Sequence, residues 1–219
     1  MSFDVGGTLI LPWPSVGHIY GEVAARHGHE DFKSDLLDRQ FAAAWRAKKD
    51  FDHSRDAWLE LVQKTFAGLV AARAVEEFFD DLYHRFASPQ AWRVFDDVRP
   101  TLEALRRNEL KLAIISNWDE RLRPLLAQLQ LTSYFDEIVI SLETGFAKPS
   151  PRIFQRAASA LGMPAQTILH IGDSLAEDVI GAQSAGLQGL LIDRKGTSGA
   201  VDSIPTLSDL LSRVGSGVS

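Results

Sequence analysis

The chain has 219 residues, no cysteine, 45% hydrophobic and 24% charged residues, and a formal net charge of −6. That is enough chain for a globular core domain with an insertion. It excludes disulfides, thiolate metal sites and cysteine nucleophiles. The acidic balance argues against a nucleic-acid partner, because phosphate backbones are held by clustered Lys and Arg. No apolar run approaches the ~20 residues that span a bilayer, and no basic-then-apolar leader opens the chain, so no membrane partner and a cytoplasmic location are expected.

In chain order, the first expected element is a short strand at residues 1–3 that leads into Asp4. A buried central strand usually runs ~5–6 residues, so this one points to a start further upstream or a trimmed chain. Residues 14–93 carry apolar side chains at helical spacing, as in Leu36, Leu37, Phe41, Ala44 and Trp45, then Trp58, Leu61, Val62 and Phe66, then Ala74, Phe78, Phe79, Leu82, Tyr83 and Phe86. They read as a bundle of four or so helices, broken near 27–29, 49–53 and 71–74.

From Asp96 onward the rhythm changes. Short apolar runs at 110–116, 137–141, 167–172 and 189–193 read as buried strands. Amphipathic helices are expected at 99–107, 119–130, 151–161 and 175–185. Ser150 is placed to cap the third of these, with Pro151 at its first position, and Gly186 to end the fourth. A Gly/Ser-rich tail after Val214 is expected to fray. Strand–helix alternation implies an α/β fold, a doubly wound parallel sheet. The expected domains are an α/β core of residues 1–13 and 94–219 and an all-helical insert of residues 14–93. Linkers near 11–14 and 94–98 are the expected hinges.

Ligands of open parallel sheets bind outside the carboxyl ends of the strands. There the sequence places Asp4-Val5-Gly6-Gly7-Thr8-Leu9, then Ser116-Asn117-Trp118-Asp119, then Lys148-Pro149, then Gly172-Asp173-Ser174 with Asp178 beyond. Each piece alone has an ordinary reading: a tight turn, a helix cap, a solvated lysine, a helix-start acid. Together they bring carboxylates, a lysine and a hydroxyl to one rim.

These four segments resemble the four motifs of the haloacid dehalogenase-like hydrolase superfamily, and the helical insert follows the first motif, where one class of cap domain sits. The wording Phe3-Asp4-Val5-Gly6-Gly7-Thr8-Leu9 with Ser116-Asn117-Trp118-Asp119 is most similar to a subgroup known only as dehalogenase-like hydrolases. The resemblance implies a Rossmann-like core and a covalent mechanism with Asp4 as nucleophile. It implies Mg²⁺ held by the carboxylates of Asp4 and Asp173 and the carbonyl of Gly6. It further implies that Asp178 orients Lys148 or metal-bound water, and that Ser116, the Asn117 backbone and Lys148 grip phosphoryl oxygens. Thr8 is grouped with the phosphate-binding residues and supports the turn or the nucleophile.

Gly6 departs from the pattern, since most phosphatases of the superfamily carry there an Asp that moves a proton to the leaving group. Three readings follow. One is a phosphohydrolase of a small phosphorylated metabolite with a good leaving group, or one that borrows a proton donor from the cap. The second is a 2-haloacid dehalogenase or other C–X hydrolase, which the retained Gly172-Asp173 disfavours. The third is a weakened protein that binds a phosphorylated metabolite or partner. His18 is the candidate substitute acid, although a polar helix position is its simpler reading. His170 reads as a packed residue, Trp118 as a rim aromatic that contacts substrate or packs on the cap. The cap lysines Lys33, Lys48, Lys49 and Lys64 read as solvated. A monomer or homodimer is expected.

Overall fold

The computed structural model describes residues 1–29, 31–49, 51–199 and 202–215. The chain divides into two units: Met1–Ile10, Val94–Glu120 and Gln130–Ser219 form one, Leu11–Arg93 and Arg121–Leu129 the other.

In the first unit β1 (Ser2–Phe3) lies at the centre of a six-stranded sheet. Strand β2 (Ile10–Pro12) pairs with β3 (Trp92–Val94) in a separate ribbon. The second unit contains α1 (Val16–Arg26), α2 (Ser34–Ala47), α3 (Arg55–Thr65) and α4 (Ala72–Arg85). Ser15 and Ser54 cap α1 and α3 by accepting from the backbone N–H groups of His18 and Ala57. Their inward faces share an aromatic core in which Tyr20 stacks on Phe66 and Phe66 meets Phe78 edge-on. Arg121 belongs to this unit: its guanidinium lies 3.6 Å from the Tyr83 ring centroid and donates to the Tyr83 carbonyl.

The first unit resumes with α5 (Val98–Arg107) and β4 (Ala113–Ser116). After α6 (Leu122–Gln128), which the division assigns to the helical unit, come β5 (Glu137–Ile140), α7 (Ser141–Thr144), α8 (Pro151–Leu161) and β6 (Leu169–Gly172). A π-helical stretch, Leu175–Ile180, runs into α9 (Gly181–Ser184), and β7 (Gln188–Ile192), β8 (Ser203–Ile204) and α10 (Asp209–Gly215) follow. The strand order is β5-β4-β1-β6-β7-β8, with parallel pairing throughout. This is the α/β class expected.

Three expected elements differ by more than two residues at one end or in helix type. The strand expected at 110–116 begins only at Ala113, because the Leu112 N–H is taken by the Asp136 carboxylate. The helix expected at 119–130 is confined to Leu122–Gln128. The helix expected at 175–185 opens as π-helix, where Asp178 turns its carboxylate back onto the Ser174 N–H. Such wide turns are rare and concentrate at functional sites. The tail beyond Val214 lies largely outside the described residues, as does Asp50 in the expected break at 49–53.

Candidate active site

Strand order places the ends of β4, β1 and β6 side by side, and the relevant side chains leave from those ends. Asp4 follows β1 directly, with its N–H donating to Ile171 on β6. The chain then turns sharply: the N–H groups of Thr8, Leu9 and Ile10 all donate to the Val5 carbonyl. Gly7 makes the turn at φ +77°. A Cβ there would stand 2.2 Å from Asp173 Oδ2, so only glycine lets the two loops meet.

Ser116, the last residue of β4, donates its hydroxyl to Asp4 Oδ1 at 2.8 Å. Lys148 is 4% exposed, and its ammonium bridges Asp4 Oδ1 at 2.6 Å and Asp178 Oδ1 at 2.5 Å. Asn117 holds the lysine's backbone from both sides, donating to the Lys148 carbonyl at 2.9 Å and accepting from its N–H at 2.7 Å. Its amide also donates to Glu177. Asp173 completes the group, for carboxylate oxygens of Asp4, Asp173 and Asp178 lie within 4.8 Å of one another.

The structure therefore brings together Asp4, Ser116, Asn117, Lys148, Asp173 and Asp178. Gly6 and Thr8 sit in the same turn, yet the Thr8 hydroxyl is buried without a hydrogen-bond partner and its carbonyl accepts two bonds from Arg194. A Cβ built on Gly6 would lie 3.4 Å from the Trp118 indole, which is ordinary contact. His18 is exposed on α1 of the helical unit.

Electrostatics follow from crowding three carboxylates around one lysine. Burial raises Asp4 above its usual range, with Lys148 opposing and Asp178 reinforcing. Asp173 is pushed up to about 7, by desolvation first and then by the charges of Asp4 and Asp178. Since Asp173 is an exposed residue, repulsion from its neighbours is the better-founded cause. Burial also acts to raise Asp178, but Lys148 and the His170 hydrogen bond outweigh it and hold that carboxyl below its usual range. Burial acts to lower Lys148, and the two carboxylates more than reverse it.

Two contributors escaped the sequence reading. His170, read there as packing alone, is fully buried and its Nε2 lies 3.1 Å from Asp178 Oδ1. The i, i+2 relation of His170 to Gly172 and of Ser2 to Asp4 was the available signal. Arg194 left none: it joins the Thr8 carbonyl to Asp97 (3.0 and 3.1 Å) across the sheet domain, with its guanidinium 3.7 Å from the Phe95 ring centroid.

A sequence model of the haloacid dehalogenase-like hydrolases matches residues 1–186. The chain belongs to that family. Among similar haloacid dehalogenase-like proteins is the bovine (Bos taurus) haloacid dehalogenase-like hydrolase domain-containing protein 3. It is 35% identical over 203 residues, 88% of this chain and 80% of that protein. A glyceraldehyde 3-phosphate phosphatase of Methanothermobacter thermautotrophicus is 31% identical over 118 residues, 51% of this chain and 50% of its own length. The crystal structure of an HAD phosphatase from Thermococcus onnurineus superposes with a TM-score of 0.71 at 27% identity, covering 98% of this chain and 96% of that one. The protein is thus a hydrolase of the haloacid dehalogenase-like type, and no helix among the described residues is long and apolar enough to cross a membrane.

Proposed function

We propose that the protein is a Mg²⁺-dependent phosphohydrolase of small phosphorylated metabolites, acting through a phosphoryl group on Asp4. The observation that carries this reading is the buried ammonium of Lys148, shared between Asp4 and Asp178 at 2.6 and 2.5 Å. It gives an anionic nucleophile and an incoming anionic group a common positive charge. Phosphatase relatives support the same class.

The donor set fits magnesium. Asp4 and Asp173 offer carboxylate oxygens, Gly6 a backbone carbonyl, and hard oxygen ligands are what Mg²⁺ selects. The contact that Gly7 allows keeps the Asp173 carboxylate against the nucleophile turn. When bound, the ion would neutralise charge between Asp4 and the phosphoryl group.

This chain's residues then divide the work. An oxygen of Asp4 attacks phosphorus, the bond to the leaving oxygen breaks, and water later cleaves the acyl phosphate to release inorganic phosphate and free Asp4. Lys148, the Ser116 hydroxyl and the Asn117 backbone hold phosphoryl oxygens, and the Asn117 amide keeps Lys148 in place. Asp178 orients Lys148. Thr8 contributes to the turn. Gly6 provides no proton, and general acid help is typically worth ~10²–10⁴-fold. Substrates with weakly basic leaving groups are therefore favoured.

The test is phosphate release from acetyl phosphate beside a plain alkyl phosphate, with and without Mg²⁺, using Asp4→Asn as blank. Mg²⁺-dependent release from acetyl phosphate alone, lost in the variant, is expected. Equal turnover of both would mean that a further proton donor serves the site. Release from neither sinks the phosphohydrolase reading for these substrates and favours C–X hydrolysis or a binding role.

A further inference from the structure

Asp178 is 1% exposed, and its carboxylate makes three contacts within the chain. Oδ2 accepts from the Ser174 N–H at 2.9 Å, while Oδ1 accepts from Lys148 and meets His170 Nε2 at 3.1 Å. An ionised carboxylate only accepts, so Nε2 must carry the ring's proton. On the far side, His170 Nδ1 lies 3.0 Å from Ser2 Oγ. Ser2 and His170 are register partners on the adjacent strands β1 and β6, so the sheet itself sets that contact. With Nε2 protonated and the ring neutral, Nδ1 is an acceptor, and the serine hydroxyl donates to it. Phe154 packs edge-on against the imidazole, with ring centroids 5.2 Å apart.

We propose that His170 is a positioning residue: held by Ser2 as the neutral Nε2–H tautomer, it fixes Asp178 Oδ1 so that Lys148 stays shared between Asp178 and Asp4. The physical reason is competition at one oxygen. A donor from His170 draws charge from the Oδ1 atom that Lys148 also holds, leaving the ammonium less tightly bound by Asp178 and available to Asp4 and to a bound phosphoryl group. Without it, Lys148 is drawn toward Asp178 and away from the nucleophile. Burial holds the ring below its usual pKa against the pull of Asp178, in keeping with the neutral form. The proposal rests on the phosphohydrolase reading for its kinetic consequence but not for its geometry.

Two variants and one spectrum test it. Glutamine places its amide N–H close to where Nε2 stands, whereas leucine fills the space without a donor. His170→Leu should lower kcat/KM for acetyl phosphate by about 10- to 100-fold, and His170→Gln should restore it to within about 5-fold of wild type, a split that packing alone does not produce. Long-range ¹H–¹⁵N spectra of the ¹⁵N-histidine-labelled wild-type protein should show His170 neutral and protonated at Nε2 at neutral pH. Equal activity of the Gln and Leu variants, or an Nδ1–H or doubly protonated ring, overturns the proposal. Wild-type silence toward acetyl phosphate counts instead against the phosphohydrolase reading. The tautomer and the affinity for inorganic phosphate with Mg²⁺ then decide this one: weakening by Leu but not Gln upholds it, and no phosphate binding by wild type overturns it.

Discussion

Gly172→Ala isolates the packing on which the candidate site depends. Gly172 ends β6 at an ordinary backbone angle, so nothing conformational demands glycine there. Its added Cβ, however, would stand 2.1 Å from Asp178 Cγ, 2.3 Å from Oδ2 and 2.5 Å from Cβ. Asp178 has nowhere to retreat, because Lys148, His170 and the Ser174 N–H all hold it. Overpacking of a filled interior costs about 1–3 kcal/mol, and losing hydrogen bonds to a charged group about 1.5–3 kcal/mol. The sum is about 2.5–6 kcal/mol, and at about 2–4 °C per kcal/mol for a chain this long, the melting temperature should fall by roughly 5–24 °C. Gly162→Ala is the control: φ is +62°, nothing lies within 4 Å of its built Cβ, and only the left-handed backbone is penalised. About 1 kcal/mol, or roughly 2–4 °C, is expected there. Scanning calorimetry of the three proteins reads both shifts. A Gly172→Ala protein melting within about 2 °C of wild type, or no lower than Gly162→Ala, refutes the reasoning.

Magnesium stabilisation should depend on pH. A carboxyl raised in the folded state binds more protons folded than unfolded between its two pKa values, so metal-free stability from Asp173 declines as pH rises toward about 7. Mg²⁺ needs the deprotonated form. The Mg²⁺-induced gain in melting temperature should therefore be small near pH ~5.5, grow through pH ~7 and level off above ~8; a gain independent of pH, or one unchanged in Asp173→Asn, contradicts this. Asn117→Ala removes both bonds to the Lys148 backbone. It should cost about 1–3 kcal/mol in denaturant unfolding and raise KM for acetyl phosphate, whereas an unchanged KM would show that Lys148 holds its place unaided. Arg194→Leu and Asp97→Asn should be non-additive by about 0.5–3 kcal/mol, as groups sharing one network are. Additivity within about 0.5 kcal/mol would mean that the pair does not act together.

The parallel sheet was readable because buried strands in such sheets are continuous apolar runs, as in Ala113–Ser116, and because Gly and Ser punctuate the helices between them. The residues of the candidate site were readable for a related reason: strand ends fix where side chains emerge, so Asp4, Ser116 and Asp173 announce themselves by position. Elements without such a pattern were missed. Strand β2 is three residues ending in proline, too short for periodicity to register. The π-helical turn at Leu175–Ile180 keeps the composition of an α-helix, and its widening reflects where Asp178 bonds. His170 and Arg194 act through partners distant in sequence, 168 residues for Ser2 and 186 for the Thr8 carbonyl.

The adjacency of β4, β1 and β6 has a consequence for biosynthesis. Asp4 precedes its hydroxyl donor by 112 residues and its lysine by 144. Contacts this remote form late, since loop closure must precede any reward from them. A nascent chain, or one cut short before β6, thus carries the Asp4 loop without the partners that surround it. Recovery of turnover on refolding should then lag the recovery of helical signal, because helices form from neighbours and this site forms only from the completed sheet.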